Sequence, residues 1–182
     1  MIIKEAKIKG CYILEPNIFK DKRGYFLENY NQKVFNQVIG NNVNFVQDNE
    51  SQSSKGVLRG LHYQLGEFAQ AKLVRVIKGC VFDIAVDIRW NSETFGQYVA
   101  IELSGENKTQ IFIPRGFAHG FVVLSKTAIL SYKCDNFYNK ESEGGIIYSD
   151  PTLKIDWKLP IDQLIISEKD INLPKLENAR LW

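Results

Sequence analysis

What most constrains this chain is a series of short runs rich in Val, Ile, Phe and Tyr, each closed by a turn signal. They fall at residues 11–14, 25–30, 57–63, 73–77, 80–88, 98–103, 110–113, 120–124 and 128–134. The breaks carry Gly, Pro, Asn or Ser, as in Glu15-Pro16-Asn17, Asp21-Lys22-Arg23-Gly24 and Lys78-Gly79. β-Branched and aromatic runs bounded in this way predict strands. Strands at this spacing predict an all-β sandwich or barrel, a jelly roll among them, with few short peripheral helices. Residues 32–38 make the only fair helix of the first half, with Asn31 as its N-cap. The stretch beyond Pro160 is less regular and is expected to wrap the sandwich. No repeat, low-complexity tract or linker divides the chain, so residues 1–182 are expected to form one domain.

Composition narrows the function classes. A 45% hydrophobic fraction is enough to fold, and a formal charge of +2 without a basic stripe argues against a nucleic-acid partner. Any anionic ligand must then be met by a few placed Arg and Lys side chains. Cys11, Cys80 and Cys134 are odd in number and widely spaced, which fits buried thiols in a reducing cytosol better than a zinc site or a disulfide framework. The first seven residues mix charges into the apolar positions, unlike a secretory signal. No apolar run approaches the roughly 18 residues of a membrane helix. A cytoplasmic protein without a membrane partner is the expectation.

Only two histidines occur, His62 and His119, and no HxH pair. A metal-dependent β-barrel enzyme generally needs two or more imidazoles with a carboxylate, so imidazole-based metal catalysis is not expected. His62 lies in Val57-Leu58-Arg59-Gly60-Leu61-His62-Tyr63-Gln64. A regular strand would put Leu58, Gly60, His62 and Gln64 on one face and Arg59, Leu61 and Tyr63 on the other, unless a bulge at Gly60 re-aims Arg59. Taken alone, His62 reads as a hydrogen-bonded structural histidine. His119, in Pro114-Arg115-Gly116-Phe117-Ala118-His119-Gly120, reads as a loop residue at a barrel mouth, structural or functional in equal measure. Tyr132 alone is a core tyrosine and Tyr138 a loop tyrosine. Lys72, Arg59 and Arg23 are more often solvated than ligating, and Gln47-Asp48-Asn49 reads as a turn.

Together these segments point further. Residues 21–28, 45–49, 56–64, 70–76, 81–89, 94–97, 113–121, Tyr132-Lys133 and Ser167-Glu168-Lys169-Asp170 closely resemble the dTDP-4-dehydrorhamnose 3,5-epimerase family. The match is collinear from about Gly10 to Leu176, and so many ordered matches are far more specific than one short motif. A small departure is Cys80, which stands where an acidic residue is common.

The resemblance implies a cupin-type jelly roll, a homodimer with a shared pocket, and no metal or organic cofactor. It implies conversion of dTDP-4-dehydro-6-deoxy-glucose into dTDP-4-dehydro-rhamnose. It assigns His62 as base, Asp170 as the carboxylate that orients it, Tyr132 as the opposing acid and Lys72 as the group beside the developing enolate. His119 is a further contact to the sugar. Arg23 and Arg59 match residues that hold the diphosphate, Tyr138 the residue stacked on thymine, and Phe26, Glu28, Gln47, Asp48 and Asn49 the nucleotide-binding wall. Glu143 and Lys169 match outer contacts. An imidazole with an ordinary pKa of about 6.5 suits the base, and a phenol near 10 suits the acid. Rival readings are a sister enzyme inverting only C3 or C5, a sugar-nucleotide 3,4-ketoisomerase, and a cupin that binds without catalysis. The pairing of His62 with Tyr132 favours the double epimerase over the first, and the match over residues 59–64 favours it over the second. The whole catalytic set favours it over the third.

Overall fold

The computed structural model describes residues 1–40 and 43–181. Alternation of apolar and polar residues builds two sheets that share an interior. The first has the order β1 (Ile2–Glu5), β2 (Tyr12–Glu15), β10 (Gln110–Ile113), β7 (Lys72–Lys78), β12 (Thr127–Cys134) and β5 (Gln47–Ser54). The second has the order β13 (Glu143–Gly145), β6 (Val57–Gln64), β11 (Phe117–Val123), β8 (Cys80–Asp87) and β9 (Tyr98–Ser104). All pairings within these orders are antiparallel. A separate hairpin joins β3 (Ile18–Asp21) to β4 (Gly24–Leu27) through Lys22-Arg23. This is the expected jelly-roll sandwich of cupin type.

Side-chain parity divides the core. Val74, Val76, Ile111 and Leu130 of the first sheet meet Val81, Ala85, Phe117, Phe121 and Val123 of the second in the interior. The outer face of the second sheet buries Leu58, Leu61, Tyr63, Ile84, Val86 and Val122 against Leu153, Trp157 and Leu176 of the C-terminal stretch. That stretch therefore wraps the sandwich, as its irregularity suggested. The outer face of the first sheet is covered by α1 (Gln32–Ile39), whose Phe35 packs on Phe112 and Phe45 at centroid separations of 5.1 and 5.7 Å. Asn31 caps α1, its Oδ1 accepting from Val34 N–H at 3.2 Å, and Gly40 closes it with φ 73°.

Three local expectations change. Gln47-Asp48-Asn49 is the start of β5 and not a turn. Its sequence QDNESQSS is polar because it is an edge strand with one face toward solvent. His119 is within β11 and not in a loop, since the strand begins at Phe117. In β6 the regular alternation fails. His119 pairs with His62 and Phe121 with Arg59, so β6 spends one residue more than β11 between those pairs. Leu58 consequently joins Leu61 and Tyr63 on the outer face, and Arg59 shares the inner face with His62. Gly60 sits in this bulge with φ 127°, and a Cβ there would lie 2.5 Å from Gly120 Cα, so no larger residue fits.

Candidate active site

Between the sheets lies a cavity of about 540 Å³. The second sheet gives it Arg59, His62 and His119, and the first gives Lys72 and Tyr132. The C-terminal stretch gives Lys169 and Asp170. The bulge in β6 is what lets Arg59 and His62 share this wall.

Asp170 reaches the cavity by a defined route. β14 (Ile165–Ile166) pairs in parallel with Val57 and Leu58 of β6. Ser167 then caps α2 (Glu168–Ile171), its Oγ accepting from Asp170 N–H at 3.1 Å. This turn brings the Asp170 carboxylate, 3% exposed, under the imidazole. His62 Nε2–H donates to Asp170 Oδ1 at 2.8 Å, and Gly60 N–H donates to Oδ2 at 3.2 Å. Burial pushes the Asp170 carboxyl up, but the His62 bond and charge and the Gly60 and Ser167 contacts outweigh it and hold the group below its usual range. An ionised carboxylate only accepts, so Nε2 carries the proton and Nδ1 is the ring nitrogen left for other contacts.

On the opposite wall, Tyr132 is kept protonated well into alkali, chiefly by burial and also by the Cys134 thiol. Lys72 Nζ lies 5.8 Å from the centre of the Tyr132 ring. Desolvation lowers the Lys72 pKa from that of a solvated lysine. Arg59 Nε donates to Ser53 Oγ at 3.1 Å, which leaves the outer edge of its guanidinium available.

A second group is joined to the cavity through Lys169. Lys169 Nζ pairs with Glu143 Oε1 at 2.7 Å, and Tyr138 OH donates to Glu143 Oε2 at 3.2 Å. Gln47 Oε1 accepts from Tyr138 N–H at 3.3 Å, and Gln47 Nε2 donates to Asn49 Oδ1 at 3.0 Å. Tyr138 is loop-borne, as expected from sequence.

Gln47, Asn49, Tyr138 and Glu143 do not line the cavity itself, and Arg23, Phe26, Glu28 and Asp48 lie apart from both it and this second group. Arg23 sits at the β3–β4 turn, bonded to Asp21 at 2.6 Å, and Phe26 on the same hairpin is 69% exposed. Glu28 accepts from Asn31 Nδ2 at 3.2 Å and lies with Asp48 in a separate depression beside Tyr30 and Arg75. Asp48 turns outward because β5 alternates, so only Gln47 and Asn49 of that triplet face inward; Lys133 Nζ holds Asp48 at 2.8 Å.

The structure also adds a residue that sequence reasoning missed. Asp83 on β8 accepts from His119 Nε2–H, at 2.9 Å to Oδ2 and 3.1 Å to Oδ1. The available signal was an acid in the middle of a largely apolar strand whose other acid, Asp87, closes it. Among the described residues, no three His, Cys, Asp or Glu side chains are grouped to hold a metal ion. Nor is any described helix long and apolar enough to cross a membrane.

A family model described as dTDP-4-dehydrorhamnose 3,5-epimerase matches residues 5–178. The chain is 53% identical over 179 residues to the dTDP-4-dehydrorhamnose 3,5-epimerase of Shigella flexneri, covering 98% of each chain. It superposes on the crystal structure of the enzyme of that name from Elizabethkingia anophelis with a TM-score of 0.95 and 59% identity, covering 98% of this chain and 97% of that one. It also superposes on a dTDP-6-deoxy-D-glucose-3,5-epimerase from Legionella pneumophila, solved with dTDP-4-keto-L-rhamnose. There the TM-score is 0.93 and the identity 51%, with 97% and 93% of the chains covered.

Proposed function

The chain belongs to the dTDP-4-dehydrorhamnose 3,5-epimerase family, and from that premise we propose how its own residues carry the reaction. The substrate is dTDP-4-dehydro-6-deoxy-α-D-glucose and the product dTDP-4-dehydro-β-L-rhamnose. Both reacting C–H bonds, at C3 and C5, are alpha to the C4 ketone. Loss of either proton places the resulting charge on the same C4 oxygen, so one stabilising group serves both steps.

In this proposal His62 Nδ1 takes the C3 or C5 proton and becomes an imidazolium, which the ionised Asp170 stabilises. The Lys72 ammonium faces the enolate oxygen in a site poor in water, where a fixed charge acts more strongly than solvent does. Tyr132 gives its phenolic proton to the opposite face of the same carbon, which completes the inversion. Exchange with solvent removes the proton from His62 and returns one to Tyr132 before the second carbon is processed. The observation that carries this scheme is the placement of His62 and Tyr132 on facing sheets around one cavity. The cavity of about 540 Å³ between these sheets leaves room for a hexose ring.

Arg59 and Arg23 hold the diphosphate, whose oxygens match guanidinium geometry. Tyr138 stacks on the thymine, with Gln47 and Asn49 beside it, and His119, Glu143 and Lys169 complete the contacts. Arg23, Phe26 and Glu28 reach the nucleotide of a second copy. What supports a homodimer with shared pockets is the β3–β4 hairpin, which exposes Phe19 at 63%, Tyr25 at 57% and Phe26 at 69%. Residues 1–182 act as one catalytic domain. The cytoplasm suits the three cysteines, which are free.

The test is product configuration. The protein is incubated with dTDP-4-dehydro-6-deoxy-glucose and the ring proton couplings are read by NMR. Inversion at both carbons supports the assignment; inversion at one carbon transfers the chain to the single-carbon epimerases.

A further inference from the structure

Asp83 is a buried charge that the steps above leave unused. It is 0% exposed and lies on the inner face of β8 between Val81 and Ala85, which belong to the apolar interior. A carboxylate in such surroundings is costly unless it is well compensated. Among the described residues its only hydrogen-bond donor is His119 Nε2–H, shared between its two oxygens. One ring N–H does not saturate a carboxylate, which has about four acceptor sites.

The surroundings give this charge a use. His119 stands directly across from His62 in the β6–β11 pairing, and both rings commit Nε2 to an acid. Among the described residues, neither ring has a hydrogen-bond partner at Nδ1. Across the interior, Lys72 makes no ion pair with a carboxylate among the described residues. The titratable and charged groups around it are the Cys134 thiol and Tyr132 from β12, Asp83 from β8 and Glu143 from β13, with Arg59 and His62 of β6, His119 of β11, Lys169 and Asp170 around the same cavity. Asp83 is one of the groups whose field favours the charged ammonium, against the desolvation that opposes it.

We propose that Asp83 is a positioning residue for the epimerisation: it clamps His119 through Nε2 so that Nδ1 is presented to the sugar, and it is the interior counter-charge facing the Lys72 ammonium. The proposal rests on the epimerase reading of the cavity. It makes His119 a fixed donor or acceptor and not a mobile contact.

The test compares wild type with Asp83→Asn, whose amide can still accept from Nε2 but carries no charge. The variant is expected to keep the KM within about threefold while kcat falls by roughly one to two orders of magnitude, the range found when an orienting partner is lost. The alkaline limb of its kcat profile is expected at lower pH than in wild type, because Lys72 loses a favourable charge. A variant with kcat within twofold, or with reduced activity but an unmoved alkaline limb, overturns the proposal. Should the variant fold poorly, nitrogen-15 NMR of histidine in the wild type decides the matter. His119 Nε2 should stay protonated while its Nδ1 resonance shifts on adding the substrate–product mixture. An unchanged Nδ1 resonance overturns the proposal. Wild type that takes up no solvent deuterium at C3 or C5 would instead remove the epimerase reading itself.

Discussion

His62 on β6 and Tyr132 on β12 look into one cavity from opposite sheets of the sandwich. Inversion at carbon needs a proton removed from one face and returned to the other. A jelly roll supplies that geometry without a moving part, because its two inner faces are fixed by the core around them. Replacing either residue should therefore break a different half of the reaction.

Tyr132→Phe should uncouple exchange from inversion. His62 can still remove and return a proton on its own face. Deuterium from solvent is expected to enter the substrate with retained configuration, while product formation falls by about 10²–10⁴-fold, the usual weight of a general acid. Mass spectrometry of recovered substrate together with product NMR checks this. Loss of exchange along with inversion would contradict the division of labour.

Lys72 should set the alkaline limit of activity. Its pKa is lowered by desolvation, so the ammonium is lost as pH rises through a value below the ordinary 10.5. Tyr132 is shifted the other way, chiefly by burial, which moves its own deprotonation to higher pH. A kcat profile should fall in that range for wild type. In Lys72→Arg the limb should leave the accessible range, since a guanidinium keeps its proton. An identical limb in both proteins would remove Lys72 from this role.

Asp170 links the site to stability. Its carboxyl titrates below the unfolded value of about 3.9, so its contribution is complete above that pH and disappears as pH falls through the lower folded value. Asp170→Asn should cost on the order of 1–3 kcal/mol near pH 7, in line with a lost charge-assisted hydrogen bond. The difference from wild type should narrow only as pH falls below about 3.9 and close below the lower folded value. Denaturant melts at pH 7 and at about pH 2 measure it, and a constant gap at both would contradict the coupling.

The β3–β4 hairpin carries the shared-pocket proposal. Phe19→Ser removes an exposed ring that supports no contact in the core, so monomer stability should change by less than about 0.5 kcal/mol. The dimer should weaken, and the KM for the dTDP-sugar should rise about tenfold with kcat little changed. Sedimentation and steady-state kinetics test this together. A monomeric variant with wild-type KM would confine the pocket to one chain.

Much of this was legible in the residues, and the exceptions have physical reasons. Strand β10 falls at residues 110–113 as its apolar run predicted, and α1 follows its Asn31 cap. β5 was hidden because an edge strand takes its order from pairing with β12 and not from apolar content. The inward turn of Arg59 depends on a bulge that Gly60 permits but does not announce. Asp170 lies 108 residues from His62 and meets it only because β14 adds to β6. No local pattern reports that pairing, and only the family resemblance pointed to it. Asp83 was visible as an acid in the middle of an apolar run, yet its meaning depends on His119 from the neighbouring strand.

The most direct test is hydrogen exchange on one substrate with one variant. Wild type and His62→Ala are each incubated with dTDP-4-dehydro-6-deoxy-glucose in deuterated water, and the C3 and C5 proton signals are followed by NMR. A single base serving both carbons predicts that wild type loses both signals and that folded His62→Ala loses neither over the same period. Continued exchange at either carbon in the variant would show that a second base acts there, and would contradict the central role given to His62.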